Sequence, residues 1–144
     1  MIEIKRITNN GELLAIIIPA NYQPDGIEFI TEPKNTIQLA AMRHKSGHLI
    51  KPHVHNIVKR TVFYTQEVLI VRRGRVRVDL YTPDKEYLES HILSTGDVIL
   101  LAKGGHGFKI LEDLDMVEVK QGPFIGDHDK TRFENNNSAI KIRD

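Results

Sequence analysis

Gly, Pro, Asn and Asp interrupt this chain at short, nearly even intervals, and that spacing limits what it can fold into. Turn signals stand at Pro24-Asp25-Gly26, Pro33-Lys34-Asn35, Ser46-Gly47, Arg72-Arg73-Gly74, Thr82-Pro83-Asp84, Thr95-Gly96-Asp97 and Gly104-Gly105. Between them lie short runs rich in Ile, Val, Leu, Phe and Tyr, several of which alternate. Arg75-Val76-Arg77-Val78-Asp79-Leu80 sets charges on one face and aliphatics on the other, and Met116-Val117-Glu118-Val119-Lys120 repeats the pattern. That is period two, the mark of strands with one wet face. No window holds a convincing helical stripe, although a short helix fits somewhere in the last stretch of chain. Strands at roughly 8–12-residue spacing predict an all-β sandwich or barrel.

With 144 residues the chain suits one domain, and 40% hydrophobic against 27% charged residues suits a soluble core. The apolar run Leu13–Pro19 is too short to span a bilayer and reads as a buried or interface strand. The opening MIEIKRITNN has no apolar core of a secretory leader, which predicts a cytoplasmic protein with no membrane partner. A net charge of +1 argues against a nucleic-acid module, and no aromatic–basic stacking array is visible. Phosphate loops of the GxGxxG and GxxxxGK[ST] kinds and the GxSxG nucleophile elbow are missing. The segment Glu134–Asp144 reads as a polar tail in which Ile140 and Ile142 could dock as an edge strand.

There is no cysteine and there are seven histidines. Any metal must therefore be held by nitrogen and oxygen, with His the only nitrogen ligand in quantity. His53 and His55 form H-x-H, which as a strand would aim both rings to one side. Glu67 opens Glu67-Val68-Leu69-Ile70-Val71 on the face of Leu69 and Val71, where a carboxylate is costly unless paired or metal-bound. His106 follows the Gly104-Gly105 pair, where the backbone can turn sharply. Three imidazoles and one carboxylate suit divalent Fe, Mn, Ni, Co or Zn, and four protein ligands leave open positions for chemistry.

This segment resembles the two sequence motifs of the cupin superfamily. Gly47 leads after five residues to His53-Val54-His55, and Glu67 leads after six to Gly74, the two halves of the first motif. Gly96, Gly104 and His106 follow the second. Eleven residues separate His55 from Glu67, where the family has a shorter spacer; Ala102 stands for the family's proline, and His106 comes one residue early. The resemblance implies a cupin double-stranded β-helix, a jelly-roll-like barrel, over residues 1–133, followed by the tail 134–144. It implies a metal near the barrel mouth on His53, His55, Glu67 and His106, and it favours a homodimer.

Two functions follow as expectations. One is a metal-dependent enzyme, such as a dioxygenase, isomerase or sugar-modifying enzyme, acting on a small polar molecule such as a sugar derivative or a small carboxylic acid. The loop Asn56–Gln66 would then contribute Arg60, whose guanidinium fork suits a carboxylate or phosphate, and Tyr64, with Lys59 beside them. The other is a non-catalytic module that binds or senses a small molecule. A purely structural metal is a further possibility. Arg43, His44, His48, Lys103, Glu118, Lys120 and His128 are read as surface or turn residues.

Overall fold

Alternating apolar side chains at Ile7, Ala15, Ile17, Val76, Val78, Leu80, Leu93, Ile99 and Leu101 can leave water together only if their strands pair into one sheet, and they do. The computed structural model describes residues 2–135 and 139–144. The strands are β1 Lys5–Asn9, β2 Glu12–Ile18, β3 Gly26–Phe29, β4 Ala40–Arg43, β5 Glu67–Tyr81, β6 Tyr87–Ser94, β7 Val98–Leu101 and β8 Gly105–Lys120. One 3-10 turn, Gly126–Asp129, is the only helical element among the described residues. The chain is thus all-β, as its turn spacing predicts, and no described helix is long and apolar enough to cross a membrane.

The chain forms two compact units, Met1–Tyr22 with Tyr64–Asp144, and Gln23–Phe63. In the first, an antiparallel sheet runs in the order β1-β2-β7-β5-β6, with β8 along the other side of β5. Asn10 and Gly11, both at positive φ, make the tight turn of the β1–β2 hairpin. The run from Leu14 to Ile17 is buried on both faces of β2, between β1 and β7. This is the buried-strand alternative for the apolar run near the start.

The long strand β5 is shared. Its first residues, Glu67–Ile70, pair with β7, and Arg75–Tyr81 pair with β6. β8 follows it from Glu67↔Lys120 to Tyr81↔Gly105. Arg72-Arg73-Gly74, read from sequence as a turn, does not reverse the chain. The β5–β8 register slips repeatedly between Val71 and Val76, a run of bulges that bends the strand. Gly74 has φ 92, and a Cβ there would collide with the Asp113 carbonyl on β8. A turn and a bulge ask for the same residue; the partner strand opposite Gly74 decides between them. The bend makes this sheet a curled half-barrel.

The tail returns to the sheet. Ile142 forms an isolated parallel bridge with Ser90 of β6; the Ser90 amide donates to the Lys141 carbonyl and the Arg143 amide to the Ser90 carbonyl, both at 2.8 Å. Ile142 thus meets the sheet edge through a single bridge, without forming the edge strand that the sequence allowed for Ile140 and Ile142. Part of the expected loose tail, residues 136–138, lies outside the described residues.

In the second unit, β3 and β4 make a two-stranded antiparallel pair from Gly26↔Arg43 to Phe29↔Ala40. The connecting loop is held by Gln38, whose amide donates to the Asn35 carbonyl (2.8 Å) and the Glu32 carbonyl (3.0 Å). Beyond β4, residues 44–63 carry no strand, and Gly47 makes the expected turn at φ 87.

Candidate functional site

Glu67 begins β5 on the face of Leu69 and Val71, both of which are buried. Leu101 of β7 and Lys120 of β8 flank it in register. From Leu101 the chain passes through Ala102-Lys103-Gly104 into β8. Gly104 has φ 81, and a Cβ there would strike the Tyr81 carbonyl, so only glycine lets the connection run so close to β5. This tight passage sets His106 opposite Leu80. Its Nε2 then donates to Glu67 Oε2 at 3.1 Å. The side chain of Glu67 is 12% exposed and that of His106 is 30% exposed, which leaves the pair reachable from solvent.

The electrostatics follow from that contact. The hydrogen bond from His106 holds the Glu67 carboxyl below its ordinary range, against burial, which pushes it up. The charge of His106, a hydrogen bond with Glu118 and the charge of Lys120 add in the same downward direction. Glu67 is therefore kept as a carboxylate, the form that binds a proton donor or a cation.

Glu67 and His106 line a cavity of about 770 Å3, built wholly within the first unit. Phe108, Tyr81, Arg77 and Asp79 share the lining, together with Thr65 and residues 129–135. Phe133 meets Tyr81 edge to face at 5.0 Å, and the Thr65 hydroxyl donates to the Asp129 carboxylate. Arg77 grips Asp79 with two hydrogen bonds of 2.8 and 2.9 Å. Ser90 also donates to Asp79, Tyr87 and Ser90 share a hydrogen bond of 2.7 Å, and the Lys141 amide donates to the Tyr87 hydroxyl at 2.9 Å.

That network departs from the alternation seen in the sequence, where Asp79 belongs to a wet face. It is 5% exposed, and it accepts hydrogen bonds from Arg77 and from Ser90, its register partner on β6. The available signal was an aspartate inside a strand, where it is disfavoured, with an arginine two residues earlier on the same face.

The other two proposed ligands lie in the second unit, Gln23–Phe63. His53 and His55 are exposed and stand edge to face, with ring centroids 5.3 Å apart. They are not on a strand. Pro52 offers no backbone N–H, and among the described residues no strand pairs with this stretch to set the two rings on one face. His53 Nδ1 lies 3.0 Å from the Lys51 carbonyl. A carbonyl only accepts, so Nδ1 is the donor in this contact. Metal-binding imidazoles are commonly fixed in this way.

Arg60 is exposed and donates a 3.5 Å hydrogen bond to the Val58 carbonyl. Tyr64 belongs to the first unit, and the Lys103 ammonium sits 4.9 Å from its ring centroid. Lys103 is also held by both oxygens of Glu12 at 2.8 Å, which raises its pKa. His44 and His48 stack on each other at 4.2 Å. His91 is buried and shares a 2.9 Å contact with Glu89.

In kind, these donors fit a divalent metal that prefers nitrogen and oxygen. Among the described residues, no group of three or more His, Cys, Asp or Glu is gathered into a site that could hold a metal ion. Glu67 meets His106, and His53 meets His55, each pair within its own unit. No family model matches the chain, and no curated protein or solved structure shows significant similarity to it.

Proposed function

We propose that this chain is a metal-binding cupin, a double-stranded β-helix, that acts as an enzyme on a small polar molecule such as a sugar derivative or a small carboxylic acid. The observation that carries the reading is the Glu67–His106 contact on the wall of a cavity in a curled β-sheet. A carboxylate kept ionised beside an imidazole is half of a nitrogen–oxygen ligand set. His53 and His55 complete the set by residue type, and the hydrogen bond that holds His53 Nδ1 on the Lys51 carbonyl supports the assignment.

A divalent Fe, Mn, Ni, Co or Zn bound by these four side chains would supply a Lewis acid able to polarise a substrate oxygen. The chain's own residues do the rest. Phe108 and Tyr81 give the cavity an apolar wall, while Arg77 and Asp79 give it polar edges. Arg77 is committed to Asp79, so anion recognition falls to less engaged cations, and Arg60 with its forked guanidinium is assigned to it. Tyr64 is assigned to orient the substrate through its hydroxyl.

The test is turnover by metal-reconstituted protein across a panel of sugars, keto acids and diketones, read as oxygen uptake or as isomerised product. Turnover that falls at least about tenfold in both His53→Ala and Arg60→Ala supports the reading. Saturable binding without turnover would replace it with a small-molecule binding or sensing module.

A further inference from the structure

Of the glycine pair Gly104-Gly105, only the first has a backbone reason. Gly104 needs its positive φ, whereas Gly105 lies outside that region. What Gly105 provides is room. A Cβ there would stand 3.0 Å from the Phe133 ring and 3.2 Å from the Tyr81 Cβ, closer than side chains pack. Phe133 thus seats its ring on bare backbone next to His106, edge to face with Tyr81 at 5.0 Å. Four residues earlier, the Asp129 carboxylate accepts a hydrogen bond from the Thr65 hydroxyl, two residues before Glu67. Each anchor therefore neighbours one member of the Glu67–His106 pair.

The walls of the cavity differ in kind. Glu67, Arg77, Asp79 and Tyr81 come from β5, and His106 and Phe108 from β8, two strands that a long ladder holds together. A third wall begins at Asp129, and from there to Phe133 no residue enters a ladder. Lys130, Thr131 and Arg132 are exposed between the two anchors, and Arg132 reaches Asp127, 3.9 Å away in the same stretch. An aromatic edge contact and a hydroxyl–carboxylate hydrogen bond are modest interactions, and both can be released without opening the sheet. Segments held in this way open locally while the ladder around them stays formed.

We infer that the stretch from Asp129 to Phe133 is a lid over the Glu67–His106 pair, latched at Thr65 and at Gly105, and that a small molecule enters the cavity when this stretch lifts. The lid controls function on the reading that this cavity holds the functional site; its motion needs no metal. With the lid down the His106 side chain is 30% exposed, which water reaches. A larger molecule needs the lid lifted.

The test uses metal-free protein, so it fails or succeeds separately from the metal centre. Diethyl pyrocarbonate acylates neutral imidazole, and peptide mapping by mass spectrometry reads His106 against exposed His55 in the same sample. Because the chain has no cysteine, Thr65→Cys with Asp129→Cys can form a single disulfide, which fastens one end of the lid. Oxidised, this variant should modify at His106 at least about threefold more slowly than after reduction, because the rate follows the open population. Phe133→Ala frees the other end and should speed His106 at least about threefold, with the circular dichroism of the sheet unchanged. A purely structural role for Phe133 would lower the melting temperature and leave the ratio of His106 to His55 as it was. Equal His106 rates in the oxidised and reduced forms overturn the lid, as does a wild-type rate in Phe133→Ala or a cysteine pair that does not oxidise. Lid-dependent rates in a chain that takes up no metal would leave the lid standing and remove the metal centre.

Discussion

Glu67 and His106 touch, at 3.1 Å, although they belong to opposite ends of one strand ladder. Glu67 pairs with Lys120, and His106 pairs with Leu80. A straight strand from Glu67 to Leu80 would run about 40 Å at ~3.3 Å per residue. The contact exists because β5 and β8 curl together, and because β7 ends beside Glu67 only a few residues before β8 begins. Curvature of the sheet is thus what assembles the pair.

Gly74 is where that curvature is built, so Gly74→Ala should be costly. The substituted residue would hold a positive φ, and its Cβ would run into the Asp113 carbonyl. A loss of about 1–3 kcal/mol is expected in urea unfolding. The Glu67–His106 contact should loosen with it, seen as an upward shift of the Glu67 carboxyl in NMR titration. Unchanged stability would mean the bend does not depend on Gly74.

Arg77 and Asp79 form a pair that is largely removed from water, with side chains 17% and 7% exposed. Asp79→Ala leaves the guanidinium without its carboxylate and should cost about 3 kcal/mol. Replacing both, Arg77→Leu with Asp79→Leu, should recover much of that loss, since the cost lies in the orphaned charge. If the double variant is as unstable as the single one, the pair is not what Asp79 contributes.

Period-two patterning made the strands of the core legible. Val76, Val78 and Leu80 are buried as their alternation demands, and the turn signals at Ser46-Gly47 and Gly104-Gly105 mark real turns. Glu67 was legible because it shares a face with Leu69 and Val71, and His106 because a glycine pair precedes it. Arg72-Arg73-Gly74 was not, because a bulge differs from a turn only by what lies across the ladder. Asp79 was missed because its partner Ser90 stands on β6, a neighbour that local alternation does not encode. The strand reading of His53-Val54-His55 lacked a partner strand, without which an extended segment has no fixed face.

Glu67 also makes stability depend on pH. Its carboxyl is held below the ordinary 4.5. A depressed carboxyl stabilises the fold when ionised, so the contribution is complete above the ordinary value and is lost as pH falls through the lower, folded one. In metal-free protein, the stability difference between wild type and Glu67→Gln should be constant near neutrality and shrink below pH 4.5. An equal difference at neutral and strongly acid pH would show that Glu67 is not held in the ionised form.

Metal content is the most direct test of the central claim that Glu67 and His106 belong to a metal centre. Protein purified without a chelating column and reconstituted with divalent Fe, Mn, Ni, Co or Zn should carry about one ion per chain by elemental analysis. His106→Ala and Glu67→Gln should each lower the affinity by at least about tenfold. Absence of bound metal after reconstitution, or full metal content in His106→Ala, would contradict the account.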